Sequence, residues 1–128
     1  MRRSIVLFVG AVFAVIATPA VATDQNDYKH CQGTDTNGSN DMVIRGCTAL
    51  IESGDWVGKD LASIYVDRAN AYFNKGDYDR AIHDFSKALK IRPDDKTAMA
   101  DRGLAKIKMG DNEGGEADIA AAKAMTSN

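Results

Sequence analysis

Apolar residues in the second half of the chain recur at steps of three and four, the spacing of one face of an α-helix. Over residues 60–74 and again over 78–91, this spacing predicts two amphipathic helices, each with one apolar and one polar, solvent-exposed face. The apolar positions are Leu61, Ile64, Tyr65, Ala69, Tyr72 and Phe73 in the first segment and Tyr78, Ala81, Ile82, Phe85, Ala88, Leu89 and Ile91 in the second.

Residues that start and stop helices stand at the ends of both segments. Asp60 and Asp77 each offer a carboxylate to the free amides of a first turn, so both are expected N-caps. Gly76 suits the end of the first helix, and Pro93 stops the second because proline lacks a donor and clashes with the preceding turn. The two segments therefore predict a helical hairpin with a short turn.

The unit at residues 62–95 repeats, imperfectly, from residue 96 to the end of the chain. A fixed period of 34 residues is typical of stacked helical hairpins, which usually bind other molecules rather than catalyse reactions. The pairs that are identical at this shift are Asp67 and Asp101, Arg68 and Arg102, Ala71 and Ala105, Gly76 and Gly110, Asp77 and Asp111, Asp84 and Asp118, and Ala88 and Ala122.

A further helix is predicted upstream, over residues 41–53, with Val43, Ile44, Cys47, Leu50 and Ile51 on one face. It has the character of the second helix of a preceding unit whose first helix is missing or reduced to residues 27–32. The expected fold class is therefore all-α, a helical hairpin array of about five helices that forms a fragment of an α-solenoid.

The positions of the best unit resemble the tetratricopeptide repeat. We take Ala62 as the first position of the 34-residue motif. Large residues, small residues and the final proline then occur at the positions where the motif has them. The matching residues are Tyr65, Ala69, Tyr72, Ala81, Phe85, Ala88 and Pro93. The order of a cysteine, a helix with Cys-Thr-x-Leu-Ile and such units is similar to that of small exported bacterial repeat proteins.

The second copy of the motif is degraded. Lys106 replaces an aromatic residue, and Gly115 takes a small position. Gly114 and Gly115 should each weaken the last helix by about 1 kcal/mol relative to alanine. We expect this helix to fray first or to be stabilised by a partner.

The first residues have the features of a secretory signal peptide. Arg2 and Arg3 precede an uncharged apolar run over residues 4–17, and Ala20 and Ala22 provide the spacing of small residues at a cleavage site. Cleavage near Ala22 is the simplest interpretation and predicts a periplasmic or secreted protein. The alternative is an uncleaved anchor, but the run is shorter than the roughly 20 residues that span a bilayer.

These features divide the chain into a signal peptide (1–22), an N-terminal polar segment (23–40) and a helical domain (41–128). Within the helical domain, residues 41–60 are a half repeat with its linker, 61–95 the repeat and 96–128 the degenerate repeat. Removing Arg2 and Arg3 leaves 14 basic against 18 acidic residues, a net charge of −4. The charges are interleaved, which disfavours a nucleic-acid partner.

Cys31 and Cys47 are the only cysteines, and export would place them where thiols are oxidised. A disulfide between them would stabilise the polar, turn-prone segment 34–41. The alternatives are a redox-active pair, free thiols or a metal site with His30. Neither a Cys-x-x-Cys motif nor a full tetrahedral ligand set is present, so a structural disulfide is favoured.

The resemblance to tetratricopeptide repeats implies a binding site for a peptide or for a segment of another protein. In that family the first helix of each repeat lines a groove that holds an extended peptide. The corresponding inward positions are Ser63, Val66, Asn70, Phe73 and Asn74 in the first unit, and Thr97, Ala100, Leu104 and Lys108 in the second.

Asn70 is the most informative of these positions, because an amide side chain can donate to and accept from a peptide backbone at once. The alternative is that Asn70 simply faces water. Family members that clamp a terminal carboxylate need lysine or arginine around this position. Val66 and Asp101 stand there instead, which disfavours a carboxylate ligand.

Catalysis is disfavoured, and the sequence predicts no catalytic, cofactor or metal site. No phosphate-binding loop, nucleophile elbow or metal motif occurs. His83 should lie on the wet side of its helix, and Asp67 and Asp101, each followed by an arginine, should join ion pairs between repeats. A remaining alternative to peptide binding is a structural module that forms a homodimer, because an apolar terminal repeat needs a cap or a partner.

Overall fold

A computed structural model describes residues 25–34, 37 and 39–125. This part of the chain contains six α-helices and no strand, which confirms the all-α prediction with six helices rather than about five. The predicted signal peptide lies outside the described residues. The helices are α1 (Gln25–Cys31), α2 (Asn40–Ser53), α3 (Gly58–Asn74), α4 (Tyr78–Ile91), α5 (Lys96–Lys108) and α6 (Asn112–Ala124).

The helices form three hairpins, α1 with α2, α3 with α4 and α5 with α6, which stack in chain order through α2 on α3 and α4 on α5. The larger core lies between the second and third hairpins. It combines bulky side chains, above all Phe85, with alanines at the positions where helices approach closely. A smaller core around Leu50 and Ile64 joins the first hairpin to α3.

Aspartates cap three of the helices. The carboxylates of Asp77, Asp95 and Asp111 accept hydrogen bonds from backbone amides of the first turns of α4, α5 and α6. The predicted cap at Asp60 is wrong, because α3 begins two residues earlier, at Gly58, and Val57 takes the N-cap position. Asp60 lies instead in the first turn, where its charge favourably meets the positive end of the helix dipole.

Two arginines hold the hairpins together through repeated contacts. Arg68 on α3 donates two hydrogen bonds to Asp84 on α4, at 2.7 and 2.9 Å, and a third to the Thr48 hydroxyl on α2 at 3.0 Å. Arg102 on α5 binds Asp118 on α6 in the same way, at 2.7 and 2.8 Å. Each guanidinium therefore donates two hydrogen bonds to one carboxylate, a bidentate geometry that makes such pairs strong.

These pairs correct the expectation for Asp67 and Asp101. Neither aspartate forms the expected ion pair between repeats among the described residues. Arg68 and Arg102 bind Asp84 and Asp118 instead, because successive residues on a helix point about 100° apart and each arginine faces away from the aspartate before it. The arginines are held mainly within their own repeats.

Gly115 has a packing role that its low helix propensity does not indicate. A Cβ atom on Gly115 would lie 2.5 Å from the Gly103 carbonyl oxygen, and one on Gly103 would lie 2.6 Å from the Gly115 carbonyl oxygen. Only glycine at both positions allows α5 and α6 to approach this closely. The helix weakness predicted for Gly115 is therefore offset by contact between the two helices.

Candidate functional site

The candidate site is a groove between α1 and α3 that contains two adjoining cavities. The first has a volume of about 260 Å³ and the second about 180 Å³. Cys31, Gln32 and Asp67 line both cavities, so the two lie side by side.

Covalent and close backbone contacts hold α1 at this groove. Cys31 and Cys47 form the predicted disulfide between α1 and α2, and both are buried. Gly46 beside it allows the helices to touch, because a Cβ atom there would lie 2.5 Å from the Asp27 carbonyl oxygen. A seven-residue helix would be marginal alone, so its position depends on these contacts.

An aromatic wall closes one side of the first cavity. The rings of Tyr28, on α1, and Trp56, in the segment between α2 and α3, stack with centroids 5.5 Å apart and planes 11° apart. The Tyr28 hydroxyl accepts a hydrogen bond of 2.7 Å from Gln32 Nε2. Sequence reasoning missed both rings, since neither lies on a strongly periodic segment, although the only tryptophan of the chain was a signal worth following.

Asp67 is the half-buried carboxylate shared by the two cavities. Burial raises its pKa to about 6, because desolvation penalises the charged form. Among the described residues, Asp67 has no hydrogen-bond or ion-pair partner. Asp101, one repeat further on, also has a raised pKa, through burial and then through repulsion by Asp95.

The predicted groove positions of the first repeat divide into two groups. Ser63 lines the first cavity and Asn70 and Asn74 line the second, all three exposed, with the Ser63 hydroxyl donating to the Lys59 carbonyl. Val66 and Phe73 instead pack against the larger core, where the Phe73 ring meets the edge of Tyr78 at 5.2 Å. Their side chains mainly support the fold.

The predicted positions of the second repeat lie elsewhere. Thr97 and Ala100 line a separate, largely apolar cavity of about 310 Å³ with Ile119 and Ala122 of α6. Leu104 and Lys108 are exposed. The structure therefore does not bring the two predicted sets together in one cavity.

Neither a metal-ligand cluster nor a membrane-spanning helix occurs among the residues that the structure describes. No group of three or more His, Cys, Asp or Glu side chains that could hold a metal occurs in the described part of the chain. His83 is 65% exposed, as predicted for the wet side of its helix. No described helix combines the length and apolar character needed to cross a bilayer.

Comparison with known proteins identifies the central unit. The family profile of the tetratricopeptide repeat matches residues 62–95, which are therefore a tetratricopeptide repeat, as predicted. A stretch of 55 residues is 33% identical to the outer dynein arm-docking complex subunit 4 of Danio rerio. That match covers 43% of this chain but only 11% of that protein.

Proposed function

We propose that this tetratricopeptide repeat protein is a protein–protein interaction module of the periplasm or cell envelope that holds an extended peptide or protein segment between α1 and α3. The repeat itself supports protein binding in general. The observation that carries the finer proposal is the pair of adjoining cavities, whose lining places Ser63, Asn70 and Asn74 along one exposed path.

The chemistry of this path suits a peptide backbone. An extended peptide presents amides and carbonyls in alternation, and each asparagine side chain can pair with both. Asn70 and Asn74 are separated by one helical turn, so their side chains lie on the same face of α3. Because the disulfide and Gly46 hold α1 in place, little ordering is needed before binding.

Two features support an exported location. Residues 1–22 have the composition of a signal peptide, and the buried disulfide is of a kind that persists in oxidising compartments.

Replacing Asn70 and Asn74 together with alanine is expected to weaken binding about 10- to 30-fold, because two side-chain hydrogen-bonding groups of about 1 kcal/mol each are lost. The partner would first be captured by crosslinking of the purified mature protein in envelope extracts. Its binding segment would then be titrated by calorimetry against both proteins.

A matched control is Leu104→Ala with Lys108→Ala, which truncates two exposed side chains of the second repeat. We expect this control to bind like the unmodified protein. Equal binding by the Asn70/Asn74 variant and the unmodified protein would refute the groove between α1 and α3 as the site.

The alternative function is a structural module that pairs with a second copy of itself, and the apolar cavity at the end of the array favours it. Its residues Ala100 and Ile119 correspond, at the 34-residue shift, to Val66 and Phe85. Val66 and Phe85 belong to the core that includes Ala98 and Ala105 of α5, whereas no helix among the described residues covers the equivalent face of the α5–α6 hairpin.

Self-association predicts a mass in sedimentation equilibrium that rises with concentration over the micromolar range. Ala100→Glu should lower that association at least tenfold, because it places a charge on the apolar face. The exposed position Leu104 provides the control substitution Leu104→Glu. A strict monomer at every concentration would eliminate the dimer.

A further inference from the structure

We propose that the cavity walled by Tyr28 and Trp56 is a subsite for a cationic side chain, a lysine or arginine of the segment bound in the groove. This inference rests on the proposed peptide-binding function and adds the class of residue that the groove selects. It stands on the cavity, its aromatic wall and the carboxylate that lines it.

The charge of the cavity favours a cation. Asp60 and Asp67 line it, and no lysine, arginine or histidine is among the described residues that line either cavity. A half-buried carboxylate without a partner is costly, and a ligand cation would offset that cost. An acidic side chain or a peptide carboxylate would meet repulsion instead.

The remaining walls suit the rest of a long basic side chain. The Tyr28 and Trp56 rings can attract an ammonium or guanidinium group through their faces. Leu50 and Ile64 provide apolar surface for a methylene stem. The volume of about 260 Å³ is equivalent to about nine water molecules at about 30 Å³ each, which is room for a lysine side chain.

The rival occupants are an apolar side chain and a metal ion. An apolar side chain would leave the Asp67 carboxylate desolvated and unpaired, which would cost binding free energy. For a metal ion, the described residues provide no group of three or more His, Cys, Asp or Glu side chains here, so water would have to supply most of the ligands.

Trp56 makes the test direct, because it is the only tryptophan of the chain. The probe is Nα-acetyl-lysine methylamide, titrated at constant ionic strength while Trp56 emission is recorded. We expect a saturable change with a Kd on the order of 10 mM, as befits a single residue. The uncharged analogue Nα-acetyl-norleucine methylamide should bind at least tenfold more weakly.

The variant Asp67→Asn keeps the shape of the side chain and removes its charge, and we expect it to weaken lysine-amide binding at least tenfold. Asp101→Asn is the matched control, since it removes one charge at the same repeat position outside the cavity. It should change binding less than about twofold, because Asp101 does not line the cavity and salt screens its charge.

The same titration at several pH values provides a second readout. Because burial raises the pKa of Asp67 to about 6, the cation should bind more tightly as the pH rises through 6 and reach a plateau above 7. Asp60 and Tyr28 are the other titrating side chains that line the cavity; α2 contributes only Leu50, and Cys31 is in the disulfide. Asp67→Asn should abolish the step at pH 6.

The outcomes separate the subsite from the groove. Equal affinity for the lysine and norleucine amides, or full binding by Asp67→Asn, overturns the cationic subsite. So does the absence of any saturable signal up to about 100 mM, tenfold above the expected Kd. If one of these results is obtained but binding of the captured segment still depends on Asn70 and Asn74, the cationic subsite is refuted and the proposed peptide groove is not.

Discussion

Replacing Asp84 with alanine is expected to lower the free energy of unfolding by about 3–5 kcal/mol, the usual cost of leaving one member of a buried ion pair alone. The Asp84 side chain is 1% exposed and receives two hydrogen bonds from Arg68, whose own side chain is 15% exposed. Without Asp84, the guanidinium keeps one hydrogen bond, to the Thr48 hydroxyl, and its contacts with the Tyr65 and Tyr72 rings, and it stays largely out of water. Urea unfolding followed by far-UV circular dichroism measures the loss.

The second repeat provides a matched control for that substitution. Asp118→Ala removes the equivalent carboxylate, which also binds Lys106 at 2.9 Å. Arg102 is 21% exposed, Lys106 23% and Asp118 12%, so water can replace more of the lost contacts. We expect the loss there to be smaller, about 1–3 kcal/mol. Equal losses at the two positions would contradict the role of burial.

The double variant Arg68→Met with Asp84→Leu isolates the unpaired charge as the cause. Apolar residues of similar size commonly replace a buried ion pair at little cost, so stability should recover most of what Asp84→Ala loses. A double variant as unstable as the single one would show that packing around Asp84, and not the stranded guanidinium, sets the loss.

Removing the disulfide by Cys31→Ala with Cys47→Ala is expected to cost roughly 3 kcal/mol, the value for a loop of about 15 residues in the chain-entropy model. Alanine is the suitable replacement because both positions are buried and a serine hydroxyl would need a partner there. Urea unfolding of the variant and of the oxidised protein, with the reduced protein as a third sample, measures the difference.

The loss of the disulfide should also be local. Once it is gone, α1 has only seven residues and its contacts with α2 and α3, so its amides should exchange with solvent faster than those of α3 to α6. The stacking of Tyr28 on Trp56 depends on α1, so Trp56 emission should change too. Unchanged protection of α1 would show that side-chain packing alone holds this helix.

Much of the fold follows from local rules that the sequence displays. The 34-residue shift, the aspartate caps at Asp77 and Asp111 and the stop at Pro93 depend on each helix and its turns alone. Asp60 is the exception. It is a residue type that commonly caps helices, yet α3 starts two residues before it, at Gly58. The local rule therefore did not determine where this helix begins.

The candidate site could be predicted only in part. Ser63 lines the first cavity and Asn70 and Asn74 line the second; because the three share a helix, their spacing determines their common face. Tyr28, Trp56 and Asp67 come from α1, the segment after α2, and α3, and only packing brings them to one cavity. Arg68 and Asp84 recur as Arg102 and Asp118 at the 34-residue shift, and this recurrence was a signal that could have revealed the two arginine–aspartate pairs.

The sequence by itself therefore determined the repeat, its hairpins and the pairing of Cys31 with Cys47, because each depends on periodicity, on a turn or on the only two cysteines present. The tertiary structure alone decided that Arg68 binds Asp84 and not Asp67, and that Val66 supports the core while Asp67 faces a cavity. The physical reason is that a helical pattern specifies which residues share a face, whereas the partner of that face depends on how the helices pack.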